Sequence, residues 1–315
     1  GGYSGAKVTS AYAREIETTS AAHILGMVTP IYAADDMETL RAKGYSGDDT
    51  IGRSGAEAAF EDYLRGTDGR RVVSTNSDGK ITGEYYSKAP RPGSNVELTI
   101  DLKFQQAAEE ALASTVSAMS EKDGNTTRGA GLAVVKVGTG EVLALVSYPM
   151  YDLAAYIQDG TYRAQLNNDE SMPLVNRATM GRYSPGSTYK PMMAVAALEE
   201  GVVTLTEKVL DTGRWYYPET VAGTGTWSWR CWNRGGHGRL NVTQAITASC
   251  NTFFYEMGYR LGIEKIDEYA EAFGFGRSTG IEIGDDAGLL AGPEEREGRG
   301  GVWYGGATIL ASIGQ

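Results

Sequence analysis

The chain has 315 residues, 41% of them hydrophobic, enough for one large domain or two of unequal size. Its net charge of −11 argues against a nucleic-acid partner, because phosphate binding needs basic patches. No run approaches the roughly 18 apolar residues that span a bilayer, no signal peptide is visible, and two cysteines are too few for a disulfide scaffold.

Residues 1–95 are mixed and polar. The stretch 18–32 has an apolar, strand-like centre. Residues 54–66 place Ala58, Tyr63 and Leu64 near helical spacing, with a glycine as a stop. "RRVVSTNSDGKI" (70–81) predicts a strand entering an Asp-Gly turn. "KAPRPGSNVELTID" (88–101) opens with two prolines and a glycine and then predicts a strand. The domain boundary is placed there, giving units 1–95 and 96–315.

The second unit begins with an amphipathic helix over 102–119. A hairpin follows over 129–149, turning at Gly138-Thr139-Gly140. The pattern is helical from Ser187 to about Glu200. Residues 243–262 read as two helical segments broken at Ser249-Cys250-Asn251, and 263–276 as a helix ended by glycines. This order is α+β, without the alternation of a doubly wound sheet.

"GRYSPGSTYKPMM" (181–193) sets Ser187 and Lys190 three residues apart at the start of an apolar helix. Positions i and i+3 share a helix face, so hydroxyl and amine come within hydrogen-bond reach. A first helical turn offers free N–H groups and a positive dipole end to a developing oxyanion. Lys190 serves as a base only when neutral, which requires burial or a neighbouring cation. A histidine-dependent triad has only His23 and His237 to draw on. Taken alone, the short motif is better read as a serine N-cap and a solvated lysine, and Ser249-Cys250-Asn251 as a helix cap. Both in this order are much harder to explain as caps alone.

"SPGSTYKP" and "SCN" resemble the S-x-x-K and second motifs of penicillin-binding protein transpeptidases. "GRSGAEAAFEDYLRGTDGRR" is similar to the pedestal of the class B penicillin-binding proteins. "VELTIDLKFQQAAEEAL", "GLAVVKVGTGEVLALVSYPMYD", "LVNRATMGRYSPGSTYK", "FGFGRSTGIEI" and "ASIGQ" resemble successive parts of their catalytic domain. The resemblance implies a serine transpeptidase/β-lactamase-like domain, an antiparallel sheet flanked by helices, on a small N-terminal pedestal or dimerisation-type domain. It implies Ser187 as nucleophile, Lys190 as base, Ser249 as proton relay and Asn251 as a partner of Lys190 and of the substrate amide. Stem peptides of peptidoglycan are the implied substrate, β-lactams the inhibitors, and a glycan-polymerising membrane protein the partner. The implied location is the extracytoplasmic face of the cell membrane. A β-lactamase or a β-lactam receptor on the same fold are the alternatives; the pedestal argues against the first. Ala56 replaces the larger aliphatic residue usual in such pedestals. No Lys-Thr-Gly occurs before Gln315, so the expectation is a fragment, catalytically incomplete and marginally stable by itself.

Acyl transfer itself requires no cofactor. Cys231 and Cys250, however, bracket His237, and thiolate and imidazole are usual zinc ligands; Asp211 or water would be the fourth. A Cys231–Cys250 disulfide, or two buried thiols with His237 in a glycine turn, compete with a structural zinc ion. Some penicillin-binding proteins of anaerobic Gram-positive bacteria are similar in carrying metal near the second motif.

Overall fold

The computed structural model describes residues 15–122, 124, 129–218 and 227–315. The chain divides into two compact units. One ends at Gly181 and also takes in Ile281–Gly284; the other is Arg182–Gly280 with Asp285–Gln315. All strand pairing among the described residues is antiparallel and two-stranded.

In the first unit, the apolar centre of 18–32 divides into a short helix, Ala22–Leu25, and a strand, Val28–Pro30. The single strand-like run expected there is corrected. Four apolar residues are too few to fix a period, and the segment between them is set by Gly26. A Cβ on Gly26 would lie 1.8 Å from the Ser54 carbonyl oxygen, so only glycine permits the approach. The helix expected over 54–66 is two pieces, Gly55–Ala59 and Glu61–Leu64, hinged at Phe60. Ala56 is buried there.

Arg70–Thr75 pairs with Ile81–Lys88 around the Asp-Gly turn, where the Asn76 side chain accepts from Asp78 N and Lys80 N. The strand expected after Pro92 does not form. Residues 92–100 run without strand pairing; Ser94 N donates to Tyr63 O and Thr99 Oγ1 to Val142 O, each at 2.7 Å.

The helix Leu102–Lys122 packs on the hairpin Ala130–Val135/Val142–Tyr148. Gln105 explains part of that fit. It is 1% exposed, and its amide both donates to Leu145 O and accepts from Leu145 N, each at 2.8 Å. One side chain thereby satisfies both backbone groups of a buried strand residue. Ala108, Ala144 and Val146 close the apolar layer.

The second unit is built on helix Lys190–Glu199, helix Asn251–Ala272 and helix Gly305–Ala311. Met192, Met193, Ala197, Phe253, Phe254, Met257 and Ile309 form its core. Gly258 permits the close crossing of the last two helices, since a Cβ there would meet the Ser312 side chain at 2.4 Å. The long helix is interrupted at Gly262, whose φ of 75° is outside the helical range. No described helix is long and apolar enough to cross a membrane.

Candidate active site and metal-ligating cluster

Pro185 and Gly186 lead into a single 3₁₀ turn, Gly186–Tyr189, that continues as the helix from Lys190. Gly186 has φ 58°, and its N–H donates to Gly314 O at 2.9 Å. A Cβ on Gly314 would stand 2.4 Å from Gly186 O, so the glycine of "ASIGQ" is needed for the chain to reach the nucleophile turn.

Ser187 is exposed, whereas Lys190 is only 2% exposed. The Lys190 Nζ donates to Asn251 Oδ1 at 2.6 Å and to Ser249 O at 2.8 Å, and it lies 3.1 Å from Ser249 Oγ. Burial disfavours the ammonium and moves its pKa down from the ordinary lysine value; Cys250 and Cys231 pull the other way. Among the described residues, no hydrogen bond joins Ser187 Oγ to Lys190 Nζ. The sequence spacing put the two groups within reach, but three acceptors on the second motif turn the amine toward that motif.

The second motif is placed by helix ends. Asn241 and Gln244 form a capping box that starts the helix Val242–Thr247. Cys250 caps the next helix, its sulfur accepting from Phe253 N at 3.5 Å. Between the helices, Ser249 has φ 48°, a left-handed conformation that costs a non-glycine residue about 1 kcal/mol or more. That conformation turns both the carbonyl and the hydroxyl of Ser249 onto Lys190. Trp232, which the sequence reading passed over, donates from Nε1 to Ala248 O and Ser249 O at 3.1 and 3.2 Å. Its signal was available: a tryptophan between a candidate ligand and a glycine-rich turn.

Asp211, Cys231, His237 and Cys250 converge behind this turn, with their ligand atoms all within 4.8 Å of one another. His237 Nδ1 is 2.7 Å from Asp211 Oδ2, and Cys250 Sγ is 3.3 Å from the same oxygen. Cys231 Sγ is 3.6 Å from His237 Nδ1. Both cysteines are free and buried. Burial pushes the Cys250 thiol well up, and neighbouring Asp211 adds to this. Burial would also raise Asp211, but the Thr252 hydroxyl, Gly213 N, His237 and Cys250 together outweigh it and hold the carboxyl at about 2. Adjacent ligands of a tetrahedral zinc ion lie roughly 3.3–3.8 Å apart, from the bond lengths of such sites. The donor set, two thiols, an imidazole and a carboxylate, suits a closed zinc site, and the Cys250–Asp211 and Cys231–His237 separations match that spacing, whereas the 2.7 Å between His237 Nδ1 and Asp211 Oδ2 is a hydrogen bond that metal binding would have to open.

Comparison with known proteins shows the family of the chain. Residues 130–314 match the penicillin binding protein transpeptidase domain, and residues 2–98 the penicillin-binding protein dimerisation domain. Peptidoglycan D,D-transpeptidase MrdA of Escherichia coli K12 is 38% identical over 303 residues, 93% of this chain and 44% of that protein. The chain thus spans less than half the length of the curated relatives it matches most strongly. Pseudomonas aeruginosa PBP2 in complex with WCK 5153 superposes with a TM-score of 0.71 at 34% identity, over 93% of this chain and 57% of that one. A chain from a structure described as the structural coordination of polymerization and crosslinking by a peptidoglycan synthase complex gives a TM-score of 0.76 at 33% identity, over 94% and 51%.

Proposed function

The chain belongs to the class B penicillin-binding proteins, and from that premise we propose that it is part of a serine D,D-transpeptidase that cross-links peptidoglycan stem peptides. The observation that carries this is the buried Lys190 amine, one turn after an exposed serine and bonded to Ser249 and Asn251.

The chemistry follows from those positions. Neutral Lys190 takes the Ser187 proton, and Ser187 Oγ attacks the carbonyl carbon between two D-alanines. The Ser187 N–H, in the nucleophile turn, stabilises the oxyanion. As the C–N bond breaks, the departing D-alanine amine takes the Ser249 Oγ proton, which Lys190 replaces. The amine of a second stem peptide then attacks the acyl-enzyme carbonyl, loses a proton along the reverse path and releases Ser187. A β-lactam enters at the first step and stays as an acyl group on Ser187. Asn251 holds Lys190 and faces the substrate amide.

Residues 1–95 act as the pedestal and 96–315 as the transpeptidase part. Work at the outer face of the cell membrane, beside a glycan-polymerising partner, fits the synthase complex that contains a similar chain. The four-residue cluster holds a structural zinc ion through Asp211, Cys231, His237 and Cys250. When bound, such an ion joins the segments around 211, 231–237 and 250 and has no open position for a nucleophile.

Two experiments test these readings. Mass spectrometry of the penicillin-treated full-length protein should find the acyl group on the Ser187 peptide; an adduct elsewhere overturns the mechanism. Metal analysis of protein purified without added zinc should give about one equivalent. Far less than one, together with chelator-insensitive melting, removes the metal.

A further inference from the structure

Trp232 is 62% exposed, a costly position for an indole, yet its one polar atom points inward. Its Nε1–H is shared between Ala248 O at 3.1 Å and Ser249 O at 3.2 Å. Ser249 O also accepts from Lys190 Nζ at 2.8 Å. Two donors therefore meet on one carbonyl, and that carbonyl belongs to a residue held at φ 48°. A left-handed serine persists only when its surroundings over-determine it. Around Ser249 those surroundings are Lys190 on one side and Trp232 on the other.

The indole is itself fixed. Its ring stands edge-to-face on His237, with centroids 5.1 Å apart. Its backbone follows Cys231, which is 1% exposed and whose N–H donates to Gly213 O at 3.0 Å. The turn beyond it is closed by Asn233, which donates to Gly236 O and accepts from Gly235 N. A rigid loop thus delivers a single donor to the second motif from its solvent side.

We propose that Trp232 is a positioning residue for acyl transfer: its indole N–H pins the Ser249 carbonyl that anchors Lys190, and so fixes where the amine sits against the second motif. This rests on the transpeptidase reading above. The hydrogen bonds of the Trp232 indole go to backbone carbonyls, Ala248 O and Ser249 O. Without its N–H, the Ser249 peptide rotates toward commoner backbone angles, and the Lys190 amine follows its acceptor away from the hydroxyls.

The test uses the full-length protein and a chromogenic cephalosporin, with the reversible binding constant and the first-order acylation constant measured separately. Trp232→Phe keeps a ring and removes the donor. Replacement of Trp232 by benzothienylalanine keeps the shape and removes only the N–H. Both should lower the acylation constant about five- to tenfold, the scale of one neutral hydrogen bond. The binding constant should be unchanged and melting should move by less than about 2 °C, on the scale of a surface change. Wild-type acylation by the benzothienylalanine variant overturns the proposal. So does weaker binding with an unchanged acylation constant, which would make the ring a wall of the substrate site. A rate that falls only with the folded fraction would make Trp232 a structural cap and also overturns it. Absence of acylation at Ser187 in the wild type is a different result and would count against the transpeptidase reading itself.

Discussion

The turn Ser249-Cys250-Asn251 separates two polar clusters built on opposite principles. In front, Ser249 O, Ser249 Oγ and Asn251 Oδ1 surround the Lys190 amine, which supplies the cluster's own cation. Behind, Asp211, Cys231, His237 and Cys250 converge, and no lysine or arginine among the described residues hydrogen-bonds to any of these side chains. Oxygen acceptors around an ammonium need nothing further. The buried Asp211 carboxylate takes hydrogen bonds from Gly213 N, His237 and Cys250, and with the two thiols and the imidazole it makes up the donor set of the zinc ion proposed above. One residue separates the two arrangements, so the back cluster can stiffen the front one without entering its chemistry.

The sharpest way to break this comparison is to remove the front cation. Lys190→Met keeps most of the volume and leaves Ser249 Oγ and Asn251 Oδ1 without their donor, while Ser249 O keeps the Trp232 indole. Acylation by penicillin should fall by about a thousandfold, the scale of a lost general base, with the metal content unchanged. Loss of both would show that the clusters are one structural unit.

Next in size, Ser249→Gly should lower acylation about a hundredfold by removing the relay, yet leave melting unchanged or slightly raised. Glycine is relaxed at φ 48°, where serine is strained. A marked fall in melting temperature would contradict the strain argument.

Cys250→Ser attacks the back cluster. It should lower melting by about 5 °C or more through weakened metal binding, and lower acylation less than either front substitution. A chelator should mimic it on the wild type and have little effect on the variant.

The smallest effect is a shift in a pH profile. Because burial disfavours the ammonium of Lys190, its pKa lies below the ordinary lysine value, and the neutral amine forms at lower pH than for a free lysine. Acylation should therefore rise with pH and level off below the usual lysine range. A rise that begins only in that range would mean Lys190 is not desolvated in the working enzyme.

The two clusters also differed in how far the sequence revealed them. Ser187, Lys190, Ser249 and Asn251 stand in short motifs whose spacing is itself structural: one helical turn in the first, a break between helices in the second. The back cluster is spread over 40 residues, and only chain closure through the Asp211–Gly213 and Cys231–Gly236 segments brings it together. Residue chemistry suggested its members, but no spacing rule could give its geometry. The helix over 102–119, the hairpin 129–149 and the strand that enters the Asp-Gly turn after residue 70 were legible from period and turn chemistry; the returning strand Ile81–Lys88 was not. The segments 18–32 and 92–100 were not, because short apolar runs take their conformation from partners: Ser54 against Gly26, and Val142 against Thr99. Hydrogen-bond direction was also out of reach. Spacing brings Ser187 and Lys190 to one face, but the acceptors that turn the amine away lie some 60 residues on.

The central claim is that Ser187 is the nucleophile served by the buried Lys190. Peptide mapping of the full-length protein after brief exposure to penicillin tests it most directly, run beside Ser187→Ala. The account predicts one acyl group, on the peptide carrying Ser187, and none on the variant. An adduct that survives Ser187→Ala, or that maps to another residue in the wild type, would contradict it.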